Sequence, residues 1–149
     1  MAIVLKGNGS TGLTETYRTA DADYILITLG SIAGLARETV DKLREQGESV
    51  GLLRLRYIRP FPGAEIARAV SHAKAVAVLE KDISFGNEGT VYTNVNSALL
   101  KAGLSMPSSN YIGGLGGKNI SQTEMAGIFE DLKQETVKIQ FLGMGGEDE

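Results

Sequence analysis

Three arginines lead into a Pro-Phe-Pro turn in the segment LRLRYIRPFPGAEI, residues 53–66. Arg54 and Arg56 are two residues apart, so on a strand their side chains share one face. Arg59 immediately precedes Pro60, which favours an extended backbone that displays the arginine side chain. Two interpretations stay open: the arginines form a clamp for a carboxylate or phosphate, or they form a strand face that a neighbouring element or subunit covers.

A glycine-rich segment, YIGGLGGKNIS, spans residues 111–121 and has the composition of a phosphate-binding loop. It fails both strict patterns, because the Walker pattern requires glycine where Ile112 stands and the dinucleotide pattern requires glycine where Asn119 stands. One interpretation is a strand-to-helix turn that needs positive φ angles. The other is an anion site built from backbone amides with a lysine beside them. The candidate contacts of that site are Gly114, Gly116, Gly117 and Lys118.

Carboxylates follow an apolar run in the segment EKDISFGNEG, residues 80–89. Glu80 and Asp82 have the chemistry of a metal or acid–base pair, but no histidine lies nearby, which favours solvated or interface carboxylates. Phe85 beside a glycine on a loop is typical of an aromatic side chain that packs into a partner. The single histidine, His72, is expected near a helix end, where a charged imidazole stabilises the carboxyl terminus.

The composition of the 149 residues excludes several classes of site. The net charge of −3 disfavours a nucleic-acid partner. The chain has no cysteine, which excludes disulfides, thiolate zinc sites and cysteine-ligated iron–sulfur clusters. No metal site and no catalytic residue is predicted, since one histidine cannot supply a multi-imidazole site and no serine or threonine has a recognisable base partner. No apolar run of about 18 residues and no signal-peptide pattern occurs, so the prediction is a soluble cytoplasmic chain.

Strand and helix patterns alternate along the chain. Apolar runs predict strands over residues 24–29, 50–58 and 75–80, with a brief strand at residues 110–112 and a short terminal strand at residues 137–141. Helical spacing predicts helices after each of the first four, with Gly47 and Gly103 at helix carboxyl ends and a capping box of Ser121 and Glu124. This order predicts a mostly parallel sheet covered on both faces, with ligands bound at the carboxyl ends of its strands.

Four blocks of the sequence resemble the alpha chain of pyruvate:ferredoxin oxidoreductase, also called pyruvate synthase. The blocks are YRTADADYILITLGSIAG, VGLLRLRYIRPFP, KAVAVLEKDISFGNEGTVYTNVNSAL and YIGGLGGKNIS. They match the second domain of that chain, which is similar to the carboxyl-terminal domain of transketolase. The RPFP form is closer to the pyruvate enzymes than to relatives that act on other 2-oxoacids.

The resemblance implies a three-layer α/β/α domain with a mostly parallel five-stranded sheet that allows one antiparallel edge strand. It also implies a non-catalytic domain that supports assembly and borders the active site of an enzyme that makes acetyl-CoA and CO2 from pyruvate and coenzyme A. Thiamine diphosphate, magnesium and iron–sulfur clusters belong to the complete enzyme, and none is expected on this chain alone. The implied partners are the thiamine-binding and ferredoxin-like domains or subunits, with ferredoxin reached indirectly.

The resemblance also sorts the candidate residues. Docking to another domain or subunit is favoured for Arg54, Arg56, Phe61 and Phe85, while Arg59 and the glycine loop keep the alternative of contacting coenzyme A or another anion. The expected division is a lead-in or junction over residues 1–12, the transketolase-like domain over residues 13–142 and a mobile acidic tail over residues 143–149. The chain is either an excised domain or a separately encoded subunit. The rival hypothesis is a free-standing nucleotide- or anion-binding domain that uses the loop from Gly113 to Lys118.

Overall fold

A computed structural model describes residues 14–29, 32–56, 61–80, 90–113, 120–135, 137 and 139–142. Six strands and four helices occur in these segments. The strands are β1 (Thr14–Tyr17), β2 (Tyr24–Leu29), β3 (Val50–Leu55), β4 (Ala75–Glu80), β5 (Ser108–Ile112) and β6 (Ile139–Phe141). The helices are α1 (Ile32–Glu45), α2 (Gly63–Val70), α3 (Thr90–Lys101) and α4 (Gln122–Leu132).

The strands form one sheet in the order β1-β3-β2-β4-β5-β6. Strands β2 to β6 are parallel, and β1 is antiparallel to β3 with Thr14 opposite Leu55. The predicted three-layer α/β/α class with an antiparallel edge strand is confirmed. The sheet has six strands where five were predicted, because β1 joins it at one edge. Strand β6, at the other edge, lies within the terminal strand predicted at residues 137–141.

The two faces of the sheet alternate residue by residue, as the pleat of a strand requires. Along β4, Val76 and Val78 face the cluster that includes α2 and α3, while Ala77 and Leu79 face the cluster that includes α1 and α4. Every residue of β4 is buried, because the strand lies in the middle of the sheet with helices on both sides. This accounts for the continuous apolar run that predicted a central parallel strand.

The connection from β5 through α4 to β6 differs from the other three in its hand. Helices α1 and α4 cover the same face, yet β2 to β3 and β5 to β6 step in opposite directions across the sheet. Helices α2 and α3 cover the other face, and the connections through them cross the sheet in the direction opposite to the connection through α1. These three connections therefore have the same hand. Parallel crossovers have one hand in about 98% of cases, so β5–α4–β6 is an exception to that rule.

Local signals in the sequence set the ends of several helices. Gly47 and Gly103, which follow α1 and α3, have φ values of +89° and +77°, as expected for glycines after a helix. The Ser121 hydroxyl accepts a hydrogen bond from the Glu124 amide, and the Glu124 carboxylate accepts one from the Ser121 amide. The predicted capping box of α4 is therefore confirmed.

Candidate functional site

The candidate docking residues that the structure describes lie at the carboxyl ends of the parallel strands. Arg54 is the penultimate residue of β3, Arg56 follows the strand directly, and Phe61 precedes α2. The other predicted contacts lie outside the described residues; they are Arg59, Asp82, Phe85, Gly114, Gly116, Gly117 and Lys118. Residues 1–12 and the tail over residues 143–149 also lie outside them.

Arg54 and Arg56 share one carboxylate. Oε1 of Glu15, on the antiparallel strand β1, lies 3.4 Å from Nη1 of Arg54 and 3.5 Å from Nη2 of Arg56. The two arginines therefore face the same side of the sheet, as their spacing predicts. Both side chains stay about two-fifths exposed, and Nε of Arg54 is buried with no acceptor among the described residues. Two guanidinium groups against one carboxylate leave this edge with a net positive charge.

A cavity of about 250 Å³ lies beside these groups, between β1 and α1. Its wall includes Arg37, whose guanidinium carbon lies 4.5 Å from the centre of the Tyr17 ring. A cation over an aromatic face is attracted by the electron density of the ring. The Tyr17 hydroxyl in turn donates to Oδ1 of Asp41 at 2.6 Å. The arginines of this cavity are thus held by contacts within the chain.

Glu80 is a buried structural group. Its side chain is 2% exposed, and its two oxygens accept hydrogen bonds from the amides of Val91 at 2.9 Å and Tyr92 at 3.1 Å. These amides belong to the first turn of α3, where backbone donors lack partners within the helix and the helix dipole favours a negative charge. The expectation that Glu80 is a solvated or interface carboxylate is therefore wrong, because α3 and β5 enclose it.

A buried polar seam continues from Glu80 between β4, β5 and α3. Asn110 on β5 is fully buried, and its side-chain amide donates to Oε2 of Glu80 at 2.9 Å and to the Val78 carbonyl at 3.2 Å. The Ser108 hydroxyl donates to Oδ1 of Asn96 on α3. In the sequence, Ser108, Ser109 and Asn110 are only a polar run, and the structure shows that they lie in a strand that is buried throughout.

His72 lies two residues beyond the end of α2. Its Nε2 atom donates to the carbonyl of Thr19 at 2.7 Å. The imidazole therefore links the end of α2 to the turn between β1 and β2. This is a structural contact at the amino ends of the parallel strands, on the opposite edge of the sheet from Arg54 and Glu80.

Other ionisable side chains of the described residues also hold the fold together. Arg44 donates to both carboxylate oxygens of Asp21, at 2.8 and 3.3 Å, and this contact lowers the pKa of Asp21. Burial raises the pKa of Tyr111, and its hydroxyl donates to Asp131 at 2.9 Å. Tyr111 thus stays protonated as a hydrogen-bond donor.

The described segments contain no group of three or more histidine or acidic side chains placed to hold a metal ion. Their longest helix is α1, with 14 residues, and none of their helices has the length and apolar character needed to cross a membrane. At the carboxyl ends of the strands, the described residues form a positively charged end of β3 and a start of α3 that is fixed by the buried carboxylate of Glu80.

Comparison with known proteins gives a family match. Residues 22–125, from just before β2 into α4, match the model of the pyruvate:ferredoxin oxidoreductase core domain II. The pyruvate synthase subunit PorA of Methanosarcina barkeri is 37% identical over 139 residues, which cover 89% of this chain and 35% of the relative. The PorA subunit of Methanothermobacter thermautotrophicus is 40% identical over 138 residues, covering 93% of this chain and 35% of the relative.

A third relative is named for another 2-oxoacid. The ketoisovalerate oxidoreductase subunit VorA of Pyrococcus horikoshii is 36% identical over 128 residues, which cover 86% of this chain and 32% of the relative. The chain spans about a third of the length of the curated relatives it matches. None of these findings supports the rival hypothesis of a free-standing nucleotide-binding domain. The chain belongs to the family of the pyruvate:ferredoxin oxidoreductase core domain II.

Proposed function

We propose that this chain is the non-catalytic second domain of a 2-oxoacid:ferredoxin oxidoreductase, which supports assembly and borders the active site. The complete enzyme would convert pyruvate and coenzyme A to acetyl-CoA and CO2, with the two electrons passed on to ferredoxin. The observation that carries this proposal is the family match over residues 22–125, which includes all four central strands of the sheet.

The structure supports a positioning role for this chain. Its buried carboxylate, Glu80, is engaged by three donors, from the amides of Val91 and Tyr92 and from Asn110. A general acid or base must be free to reach a substrate proton, and Glu80 is enclosed by α3 and β5. The rigid start of α3 instead suits a domain that holds one side of a site built by other parts.

The cofactors of the proposed enzyme do not fit the described residues of this chain. An iron–sulfur cluster needs cysteine ligands, and the sequence has none. A magnesium–diphosphate site needs oxygen ligands grouped around the ion, and the described residues provide no such group. Thiamine diphosphate, magnesium and iron–sulfur clusters would therefore be bound by the thiamine-binding and ferredoxin-like parts. The assembly would act in the cytoplasm, where ferredoxin accepts its electrons.

The choice of pyruvate rests on the RPFP segment, because overall identity does not separate the substrates. A pyruvate synthase subunit is 37% identical to this chain, and a ketoisovalerate oxidoreductase subunit is 36% identical. A domain that is equally similar to enzymes named for two 2-oxoacids is better suited to a common task, such as assembly, than to selecting the substrate.

Reconstitution tests the proposal directly. The full chain is mixed with the remainder of the oxidoreductase, prepared without this domain, and the pyruvate- and coenzyme A-dependent reduction of a dye acceptor is measured. We expect no turnover by the lone chain, whatever cofactors are added, and turnover only in the mixture. Turnover by the lone chain would overturn the proposal, and so would a mixture that neither assembles nor gains activity.

Two substitutions outside the described residues extend this test. Arg59→Ala and Phe85→Ala should leave the melting temperature of the isolated chain nearly unchanged. In the reconstituted enzyme they should weaken assembly or raise the KM for coenzyme A. The docking roles assigned to these two residues would be wrong if both changes unfolded the isolated chain while the assembled enzyme tolerated them.

A further inference from the structure

A groove runs between α2 and α3 on the outer surface of the domain. Its volume is about 740 Å³, within the range of about 300–1,000 Å³ typical of binding clefts. Small residues form much of its lining, among them Gly63, Ala64, Ala67, Ala98 and Ala102. A Cβ atom added to Gly63 would lie 3.1 Å from Cβ of Ala98, so the two helices approach closely at this point.

The groove carries positive charge that no acid among the described residues compensates. Arg68 and Lys101 line it and are exposed, and neither belongs to an ion pair among the described residues. No acidic residue is part of the lining. The nearby carboxylate of Glu65 accepts a hydrogen bond from Thr14 on β1 at 3.2 Å, which directs it toward the sheet edge.

The outer face of α3 is poor in charge for a helix on a surface. Lys101 is its only charged residue among 12, and Leu100 beside it is 78% exposed. Depletion of charged residues together with exposed apolar ones distinguishes the centres of protein interfaces from ordinary surface. Phe61, half-buried against the core cluster under α2, completes one end of the groove.

We propose that the groove between α2 and α3 receives a helix from the part of the oxidoreductase that lies outside these 149 residues. The inference rests on the proposed function. The chain spans about a third of its relatives, so a large part of their length is available to supply the occupant. The occupant presents apolar side chains to the small-residue floor and at least one carboxylate to Arg68 or Lys101.

The chemistry of the groove favours a helix over a small anionic ligand. Arg68 and Lys101 are exposed cations at the sides of an open cleft, whereas a small anion needs several donors that converge on one point. Small residues on the surface of two neighbouring helices let a third helix approach closely and pack apolar side chains between them. A carboxylate on that helix gains charge complementarity, which fixes its register on the groove.

Two kinds of substitution separate this docking surface from the rest of the domain. Ser97→Trp fills the groove from an exposed position, and Arg68→Glu combined with Lys101→Glu reverses its charge. The matched controls lie away from the groove. Thr123→Trp places the same bulk on an exposed residue of α4, and Lys42→Glu combined with Lys74→Glu makes the same change in net charge at two exposed positions.

The measurement is the dissociation constant of the full-length chain from the remainder of the oxidoreductase, with the melting temperature of each variant as the folding check. We expect both groove variants to weaken binding by about tenfold or more, the scale of losing a central interface contact. Both controls should bind within about twofold of the wild type. If Ser97→Trp lowers the melting temperature, the test of the docking surface rests on the charge-reversal variant, since that variant alters only exposed side chains.

The outcomes distinguish this inference from the proposed function. If the wild-type chain assembles and both groove variants bind as tightly as the controls, the groove is not the docking surface and the proposed function stands. If controls and groove variants weaken binding equally, the docking surface lies elsewhere. If the wild-type chain does not bind the remainder at all, the proposed function itself is overturned.

Discussion

The two helix layers of this domain use charged side chains differently. Beneath the α1–α4 layer, Thr28 and Tyr111 donate hydrogen bonds to the Leu79 carbonyl and to Asp131. The other charged contacts of this layer include two on its outside: Lys42 donates to Gln122 at 3.1 Å, and Nζ of Lys133 lies 2.7 Å from Oε1 of Glu48. On the α2–α3 side, the polar contacts lie beneath the helices, where Glu80 and Asn110 meet the start of α3.

This difference has an energetic consequence. Exposed ion pairs compete with water and contribute about 0–1 kcal/mol each. Buried hydrogen bonds to a carboxylate cost far more to break, because the donors left behind stay desolvated. The α1–α4 layer therefore has a surface suited to water, with six charged residues among the 14 of α1. The α2–α3 layer is fixed from below by Glu80, and Lys101 is the only charged residue among the 12 of α3.

The largest expected effect tests whether both layers cover the sheet. Val78 and Leu79 are adjacent, fully buried and point to opposite faces. Val78→Asp and Leu79→Asp should each bury an unpaired carboxylate, which costs about 3 kcal/mol or more and consumes much of the stability of a small domain. Urea unfolding followed by circular dichroism measures this. A cooperatively folded Val78→Asp variant of near wild-type stability would mean that the α2–α3 side is open to water.

Glu80 provides the next largest effect and sharpens the comparison. Glu80→Ala removes the acceptor of three hydrogen bonds among the described residues and leaves buried donors on α3 and β5. We therefore expect a loss of about 3 kcal/mol in the free energy of unfolding. Glu80→Gln, which keeps one acceptor oxygen, should lose less. Hydrogen exchange of the Val91 and Tyr92 amides should accelerate in both variants. A loss below about 0.5 kcal/mol for Glu80→Ala would contradict the anchoring role.

An effect of intermediate size is expected at the start of α4. Ser121→Ala removes the side-chain acceptor of the capping box, which typically costs about 1 kcal/mol. Thr123→Ala, in the exposed first turn of the same helix, is the control and should change the midpoint of urea unfolding only slightly. Equal effects of the two substitutions would show that the capping contact does not stabilise α4.

A smaller effect is expected from the ion pair on the outside of the α1–α4 layer. Hydrogen bonds from Lys133 to Glu48 and Glu130 raise the pKa of Lys133 above its ordinary value of 10.5. A raised pKa means that the contact contributes fully below pH 10.5 and is lost as the pH rises through the folded-state pKa. Lys133→Met should therefore cost under about 1 kcal/mol at neutral pH.

The pH dependence provides the check on Lys133. The stability difference between the wild type and Lys133→Met should shrink as the pH rises above 10.5. Tyr24, whose pKa burial raises, also lowers stability at alkaline pH, and the charge of Lys133 lowers the pKa of Tyr24. The two proteins are therefore compared in a Tyr24→Phe background, which removes this contribution. A difference that stayed constant across this range would exclude an ionic contribution from Lys133.

The smallest effect is expected at the amino terminus. Residues 1–12 lack the periodicity of a strand or helix, and β1 begins at Thr14. Deleting residues 1–12 should change the free energy of unfolding by less than about 0.5 kcal/mol. A loss above about 2 kcal/mol, measured by urea unfolding, would show that this segment forms part of the sheet.

The interior of the sheet was predictable because its signals are local. The runs YILITL and AVAVLE have the bounds of β2 and β4 to the residue, since a strand buried on both faces needs an unbroken apolar run. The glycines after α1 and α3 and the capping box of α4 depend on a few neighbouring residues, so they too could be identified in the sequence.

The β1 edge and the buried seam were not predictable in the same way. Strand β1 is the short, polar segment TETY, which gains its conformation only by pairing with β3. Nothing in the sequence distinguishes Glu80 from a surface carboxylate. Its partner Asn110 is 30 residues away, so their contact depends on the pairing of β4 with β5. Arg54 and Arg56 were placed on one face correctly, but their shared partner, Glu15, comes from the unpredicted β1.

The position of β1 has a consequence for the behaviour of the protein at high concentration. Without β1, the apolar strand β3 would present an unpaired edge, the kind of edge that pairs with strands of other molecules. The turn after β1 fits because residue 51 is glycine: a Cβ atom there would lie 2.6 Å from the carbonyl oxygen of Arg18. We therefore expect Gly51→Ala to detach β1 and to cause concentration-dependent aggregation, visible by light scattering. The resistance of the protein to self-association would thus depend on the lack of a side chain at Gly51.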